Sequence, residues 1–386
     1  MADIMVIKYN KSGAILWTKQ FGGIGEDNIF DADCDSEGNI ILSGYFQNTV
    51  QFDSYTLTSN GGFDMIIVKL NPSGNVIWVK QIGGIDHDGA NEVSVGINNQ
   101  IIIGAQSEGN FSFNSIDYSN TGGQDAYVIS ISALGEINWI RAILGSGYAR
   151  AKAIAVDKIG NVYLGGDFIG QNAPTNSTQF INNGGTDAFM TSWTASGELR
   201  WSKTWGGNGN ELCKGVIVNN QLDVYMVGQF ENTVNFDNTT LTSQNQKDLF
   251  IWKTNTNGNS IWLRHIASSD DLIGAEVDTD NDNGLIFGFG LRGSARLQNG
   301  TNNPTTINAP SSGKFPVLVR YDSQGKLQSS IIAEASVISS FDEITVSNNQ
   351  VYVDLVFTGG PTIFGEIIID GEAGNKNAAV IAVTIQ

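Results

Sequence analysis

The side chains best suited to chemistry sit in short connectors and turns, outside the apolar runs. Acidic groups recur in glycine-rich connectors: Glu26 and Asp27, Asp86 and Asp88, Glu211, and Asp270 and Asp271. If these connectors gather on one face, their carboxylates could converge on Ca²⁺ or on a cationic group, because hard cations take oxygen ligands. The competing reading is that each acid caps its own turn. Any such ring is incomplete, since Gly147-Tyr148-Ala149 and the stretch around Ser336 lack the acid. His87, flanked by Asp86 and Asp88, is the better acid–base candidate of the two histidines; His265 falls in a strand-like run and reads as packing or surface. One histidine without a nucleophile elbow argues against a Ser-His-Asp hydrolase. Two histidines in separate segments do not make a zinc site.

The run Asp278-Thr279-Asp280-Asn281-Asp282-Asn283-Gly284 places oxygens at alternate positions, like a calcium loop. Asp278, Asp280 and Asp282 are its candidate ligands and calcium its candidate ion. The glycine comes one place late, and no glutamate follows at the usual distance. In register the run equals the turn Asp35-Ser36-Glu37-Gly38. No other cofactor is expected. The GG-x-G pieces recur and open no helix, so they lack the geometry of a phosphate cradle.

What must position these groups is a repeat. Asp3, Asp64, Asp125, Asp187 and Asp248 are spaced 61, 61, 62 and 61 residues apart, the mark of a repeat architecture. Each unit starts with an apolar run such as DMIIVKLN or DAYVISIS. A turn with a recurring glycine follows (Gly13, Gly74, Gly135, Gly197, Gly258), then a strand bearing Trp17, Trp78, Trp139, Trp201 or Trp262. A glycine-rich connector leads to two more strands, as in IFDADCD and GNIILSGYF, and a longer polar segment leads to the next Asp. Four short strands joined by tight turns form a small antiparallel sheet that cannot stand alone. Packing copies around an axis buries both faces, giving an all-β, six-bladed β-propeller of four-stranded antiparallel blades, with seven blades as the alternative.

The expected units lie near 3–63, 64–124, 125–186, 187–247, 248–315 and 316–386, together one domain. The sixth is degenerate, with Pro316 read at the Asp position and Gln328 at the Trp position. N-terminal residues 3–22 are expected to complete the last blade, and a surplus C-terminal strand, AVIAVTIQ, to add to the same sheet. Residues 291–315 are longer and more polar, and read as an outgrowth from the scaffold.

Composition narrows the function classes. The chain has 386 residues, 46 glycines, 6 prolines and a net charge of −18. Such acidity argues against a nucleic-acid backbone and against charge-driven binding to an anionic membrane. Cys34 and Cys213 occupy different positions in different units, so no disulfide is expected. No apolar run reaches the roughly 18 residues of a membrane span. The start, MADIMVIKYN, enters a strand pattern without a signal-peptide layout.

The residues Asp3, Val6, Lys8, Asn10, Gly13, Trp17, Gly22, Gly23, Gly25, Asp27, Asp35, Gly38, Asn39, Gly44 and Phe46 spell a pattern that resembles the SBBP-type β-propeller repeat. The resemblance covers nearly the whole chain and weakens beyond about residue 290. It implies a propeller and, usually, a bacterial cell-surface or secreted protein; similar repeats occur in some large DNA viruses. It implies no catalytic motif. The N-x-x-G-x-x-x-W fragment is also similar to the tryptophan repeat of quinoprotein dehydrogenases, but those repeats are shorter.

The expected function is a non-enzymatic binding, display or structural module, monomeric, meeting a protein or glycan surface without membrane insertion. It would be extracellular or at a cell surface if a leader has been removed, and otherwise intracellular or virion-associated. The alternative is an enzyme with an axial carboxylate site, lyase or glycosidase-like.

Overall fold

The computed structural model describes residues 3–383 apart from 114–115, 176, 178, 271, 300–303, 311–312, 334–338, 348–349, 359–361, 365–366 and 370–375. The chain groups into two compact units, Met1–Asn182 with Met190–Ser202, and Asn183–Phe189 with Lys203–Gln386. Strands account for nearly all regular structure, in six antiparallel blades of a β-propeller.

The first blade holds Asn28–Cys34, Ile40–Phe52, Tyr55–Leu70 and Val76–Ile82, and the second Asp88–Val95, Ile101–Ser107, Asp125–Ile131 and Ile137–Gly145. The third holds Tyr148–Val156, Val162–Ile169, Asp187–Trp193 and Leu199–Trp205, and the fourth Glu211–Val218, Val224–Phe230, Asp248–Thr254 and Ser260–Ser268. Ile273–Thr279, Leu285–Leu291, Phe315–Tyr321 and Leu327–Ile332 form the fifth. In the sixth, Ser339–Ser347 and Gln350–Thr358 are joined by the C-terminal strand Lys376–Val383, which pairs from Thr358↔Lys376 to Val351↔Val383. The surplus strand thus adds to the last sheet, as its sequence suggests. At the other end Ile4–Tyr9 pairs with Ile15–Ile24, whose last residues pair with Thr49–Gln51, so the described pairing of the N-terminal hairpin, expected to be with the last blade, is with a strand of the first.

Blades bury both faces, so their central strands are apolar without alternation: every residue of Asp125–Ile131 and of Val224–Phe230 is buried. The core forms where neighbouring blades meet. In the first unit Ile41, Met65 and Ile67 pack with Val93, Ile101, Ile103, Tyr127 and Ile129. In the second, Tyr225, Val227 and Ile251 pack with Phe287, Phe289, Val317 and Val319. Each such side chain contributes about 1.5–3 kcal/mol by leaving water.

Two sequence expectations need correction. In the first, second, fourth and fifth units the polar segment is not an open connector but a further hairpin. It is Phe111–Phe113 with Ile116–Tyr118 in the second unit and Thr233–Phe236 with Thr239–Thr242 in the fourth. In the first, the long strands Ile40–Phe52 and Tyr55–Leu70 run straight into it. Residues 291–315, read as an outgrowth, hold the same element, Ser294–Asn299 paired with Thr305–Asn308. The second correction concerns register. Leu291 faces Phe315 as Phe46 faces Asp64, and Arg320 faces Ser329 as Lys69 faces Trp78. The Asp and Trp positions of the degenerate unit therefore hold Phe315 and Ser329, one residue away from Pro316 and one from Gln328.

The recurring tryptophans clasp one blade to the next. Trp17, Trp78, Trp139 and Trp262 each donate their indole N–H to a turn carbonyl of the following blade's outer hairpin: Pro72, Ala133, Ala195 and Ser323, at 3.0, 3.3, 2.9 and 3.1 Å. Lys8, Lys69 and Lys253 donate to the same carbonyls of Pro72, Ala133 and Ser323. The recurring turn glycine is required twice over. Gly197 has φ +81°, and a Cβ there would lie 2.7 Å from the Trp139 ring. Nearer the innermost strands, Asp31 and Asp33 accept the backbone N–H groups of Val93 and Val95, both at 2.7 Å. Asp278 does the same for Val346 at 2.6 Å.

Candidate functional site

The Asp that opens each unit is an anchor. Asp64, Asp125, Asp187 and Asp248 each accept the backbone N–H of the residue four places earlier, Asn60, Thr121, Asn183 and Gln244. This explains the paired glycines of the connectors. A Cβ on Gly22, Gly83 or Gly206 would meet the carboxyl of Asp3, Asp64 or Asp187. One on Gly23, Gly84 or Gly207 would overlap the carbonyl of Thr49, Asn110 or Thr233 in the extra hairpin. The glycines make room for backbone, and no ligand is needed to account for them.

His265 belongs to the same anchor. It is buried and lies 2.7 Å from Asp248 through Nε2, where Gln81 reaches Asp64 at 2.6 Å and Gln20 reaches Asp3 at 2.9 Å. His265→Gln is expected to leave the urea midpoint nearly unchanged. His265→Leu, which removes one of the two donors to a buried carboxylate oxygen, should cost about 1–3 kcal/mol, and paired urea titrations of the two variants check it.

The acidic connectors divide between buried caps and exposed groups. Asp88 accepts from Gly84 N–H and Glu211 from Gly207 N–H, both at 2.7 Å. Asp27 holds the equivalent place, and all three are buried. Burial pushes their carboxyls up, Asp88 to about 6 and Glu211 to about 7. Glu26, Asp86 and His87 are exposed, Asp270 is half-buried, and Asp271 lies outside the described residues. Among the described residues no three His, Cys, Asp or Glu side chains stand close enough to share a metal ion. In the calcium-like loop, Asp278 takes the Thr279 and Val346 amides, while Asp280 takes the Asp282 and Gly284 amides and Arg320 Nε. Asp282 meets Arg320 Nη2 at 3.0 Å. Each carboxylate thus has a protein partner.

What the fold does assemble is a cleft of about 270 Å³ in the first unit, at the seam of the first two blades. Phe30, Tyr45, Phe63 and His87 form a continuous row of rings, with centroids 5.3, 4.5 and 4.7 Å apart. Asp88, Gln106, Glu108 and Gln124 complete the lining with Gly89. His87 Nδ1 accepts the Phe63 N–H at 3.2 Å, which leaves the ring proton on Nε2. Burial, reinforced by the negative charge of Glu26, raises the Tyr45 hydroxyl and keeps it neutral. Sequence reading singled out His87 and Asp88 but missed the other lining residues. A signal was there. Phe30, Tyr45 and Phe63 stand where the second unit has Asn91, Gln106 and Gln124 and the third has Lys152, Asp167 and Thr186. These positions vary in chemistry from unit to unit while the frame around them repeats.

No family model matches the sequence. The chain is 22% identical over 240 residues to an uncharacterised WD repeat-containing protein of Acanthamoeba polyphaga mimivirus; the match covers 52% of this chain and 17% of that protein. Among solved structures it is similar to a protein of unknown function from Dyadobacter fermentans, with a TM-score of 0.41, 12% identity, and 94% and 95% of the two chains covered. It is also similar to virginiamycin B lyase from Staphylococcus aureus, with a TM-score of 0.38, 8% identity, and 84% and 90% covered.

Proposed function

We propose that this propeller is a non-enzymatic binding module whose site is the aromatic cleft of its first unit. The observation that carries this reading is the division of labour within the repeat. The Asp, Trp, Lys and Gly positions that recur are consumed in anchoring and clasping blades. The positions that change converge on one open cleft and become aromatic there. Of the acids on which an axial carboxylate enzyme would draw, Asp27 is buried and Glu211 is a buried cap of the Gly207 N–H. Similarity to a WD repeat-containing protein supports a repeat propeller that binds other molecules, most simply a protein or glycan surface. The finer assignment is an SBBP-type repeat protein, monomeric and displayed at a cell surface or on a particle. It is supported by the D-x-V-x-K-x-N-x-x-G…W string of the first units. Among the described residues no helix is long and apolar enough to cross a membrane.

Screening the full chain against glycan and peptide panels, with and without calcium, tests the reading. A ligand should be found whose affinity drops at least about tenfold in Phe63→Ala, in line with a central aromatic anchor. The drop should come without loss of the circular dichroism spectrum. Ligands insensitive to Phe63 and His87 substitutions would place binding elsewhere, and a panel with no binding would favour a purely structural role.

A further inference from the structure

We propose that the cleft takes an organic cation, specifically a primary ammonium group on a short alkyl chain; this rests on the cleft being the binding site. Three features of its wall point the same way. The first is the row of four rings, whose faces attract a cation and whose edges shelter an alkyl stem. The second is a pair of buried acceptors with no partner, Asp88 Oδ1 and Gln106 Oε1. Asp88 is only 2% exposed. Its other oxygen takes the Gly84 N–H, and the neighbouring Ser107 hydroxyl gives its proton to the Gly109 carbonyl at 2.7 Å. A buried acceptor without a donor costs free energy, and a ligand that brings N–H groups relieves it.

The third feature is charge. The lining holds two carboxyl groups, Asp88 and Glu108, and no lysine or arginine. His87 Nδ1 accepts the Phe63 amide, and Gln124 Nε2 lies 3.5 Å from Glu108 Oε1. An anion would meet two carboxyl groups and no cationic lysine or arginine to offset them. A neutral polyol could use the acceptors but would draw nothing from the negative charge. A quaternary ammonium would use the rings but offer no N–H to Asp88 and Gln106. A primary ammonium uses all three.

The test is a ligand-observed NMR titration of the full chain with n-butylammonium, tetramethylammonium, n-butanol and methyl glucoside. n-Butylammonium should bind at least tenfold more tightly than n-butanol and more tightly than tetramethylammonium. Asp88→Asn should lower its affinity about tenfold and Phe63→Leu several-fold. Should Asp88→Asn fail to fold, Gln106→Leu, at a half-buried position, removes the second acceptor and should weaken butylammonium but not butanol. Equal binding of butanol and butylammonium overturns the cation. So does binding of methyl glucoside alone, although the cleft then stands as a binding site. If none of the four binds, the cleft itself is overturned as the site.

Discussion

Replacing Asp35 with alanine is expected to destabilise the protein by about 3–5 kcal/mol, because it strands a buried ammonium. Lys69 Nζ lies 2.8 Å from Asp35, and their side chains are 5% and 0% exposed. Burial by itself would raise the Asp35 carboxyl. The Lys69 ammonium, the Asn39 side chain and the amides of Asn39 and Glu37 outweigh it and hold the group at about 2. The pair fixes the D-x-x-G-N turn of the first blade to the strand that carries Lys69, whose ammonium also reaches the Ala133 carbonyl in the next blade. The folded pKa is depressed, so the stabilisation is present above about pH 4 and is lost as pH falls toward 2. A fall in the urea midpoint at pH 7, shrinking toward pH 2, is the expected record. Asp35→Asn with Lys69→Met should lose less than Asp35→Ala alone, since the double change leaves no unpaired charge. The same device recurs as Asp223–Lys253 at 2.7 Å and Asp280–Arg320 at 2.8 Å.

Glu211→Gln should act in the opposite direction and stabilise the protein at alkaline pH. Burial is the main reason that the Glu211 carboxyl rises to about 7, with the negative charges of Asp187 and Glu231 adding to it. The folded state therefore holds the proton more tightly than the unfolded chain. Its contribution is present below about pH 4.5 and is lost as pH rises through 7, a decline of roughly 3 kcal/mol. Glutamine keeps an acceptor for the Gly207 N–H and carries no charge. The variant should show a much flatter stability profile between pH 4.5 and 7 and exceed the parent by roughly 1–3 kcal/mol at pH 8. Asp88 and Asp187, both raised to about 6, account for the slope that remains. Urea titrations at pH 5 and pH 8 decide it, and a parent profile already flat across that window would show that Glu211 is not the strained group described here.

The proposed site was legible only in part. His87 and Asp88 drew notice because a histidine between two acids is unusual, whereas Phe30, Tyr45 and Phe63 look like ordinary strand residues. His265, read as packing or surface, is buried, and its bond to Asp248 was not legible because Asp248 lies on the neighbouring strand, 17 residues away in sequence. The extra hairpin was read as a connector because Thr, Asn and Ser fill it, and short exposed strands need no apolar face to pair.

The sequence by itself determined the blade. The period near 61, the opening Asp, the Lys and Trp, and the paired glycines are local instructions, each satisfied within one unit or by its immediate neighbour. It also placed the calcium-like run from Asp278 to Gly284 in register with the ordinary turn from Asp35 to Gly38. Only the tertiary structure decided the register of the degenerate unit, where Phe315 and Ser329 take the Asp and Trp places through strand pairing and not through likeness of residues. It alone decided the cleft, whose lining runs from Phe30 to Gln124 and meets only when two blades stack. Repetition encodes what every blade needs, so it is visible along the chain. A site made of the positions that differ has no pattern of its own until stacking brings them together.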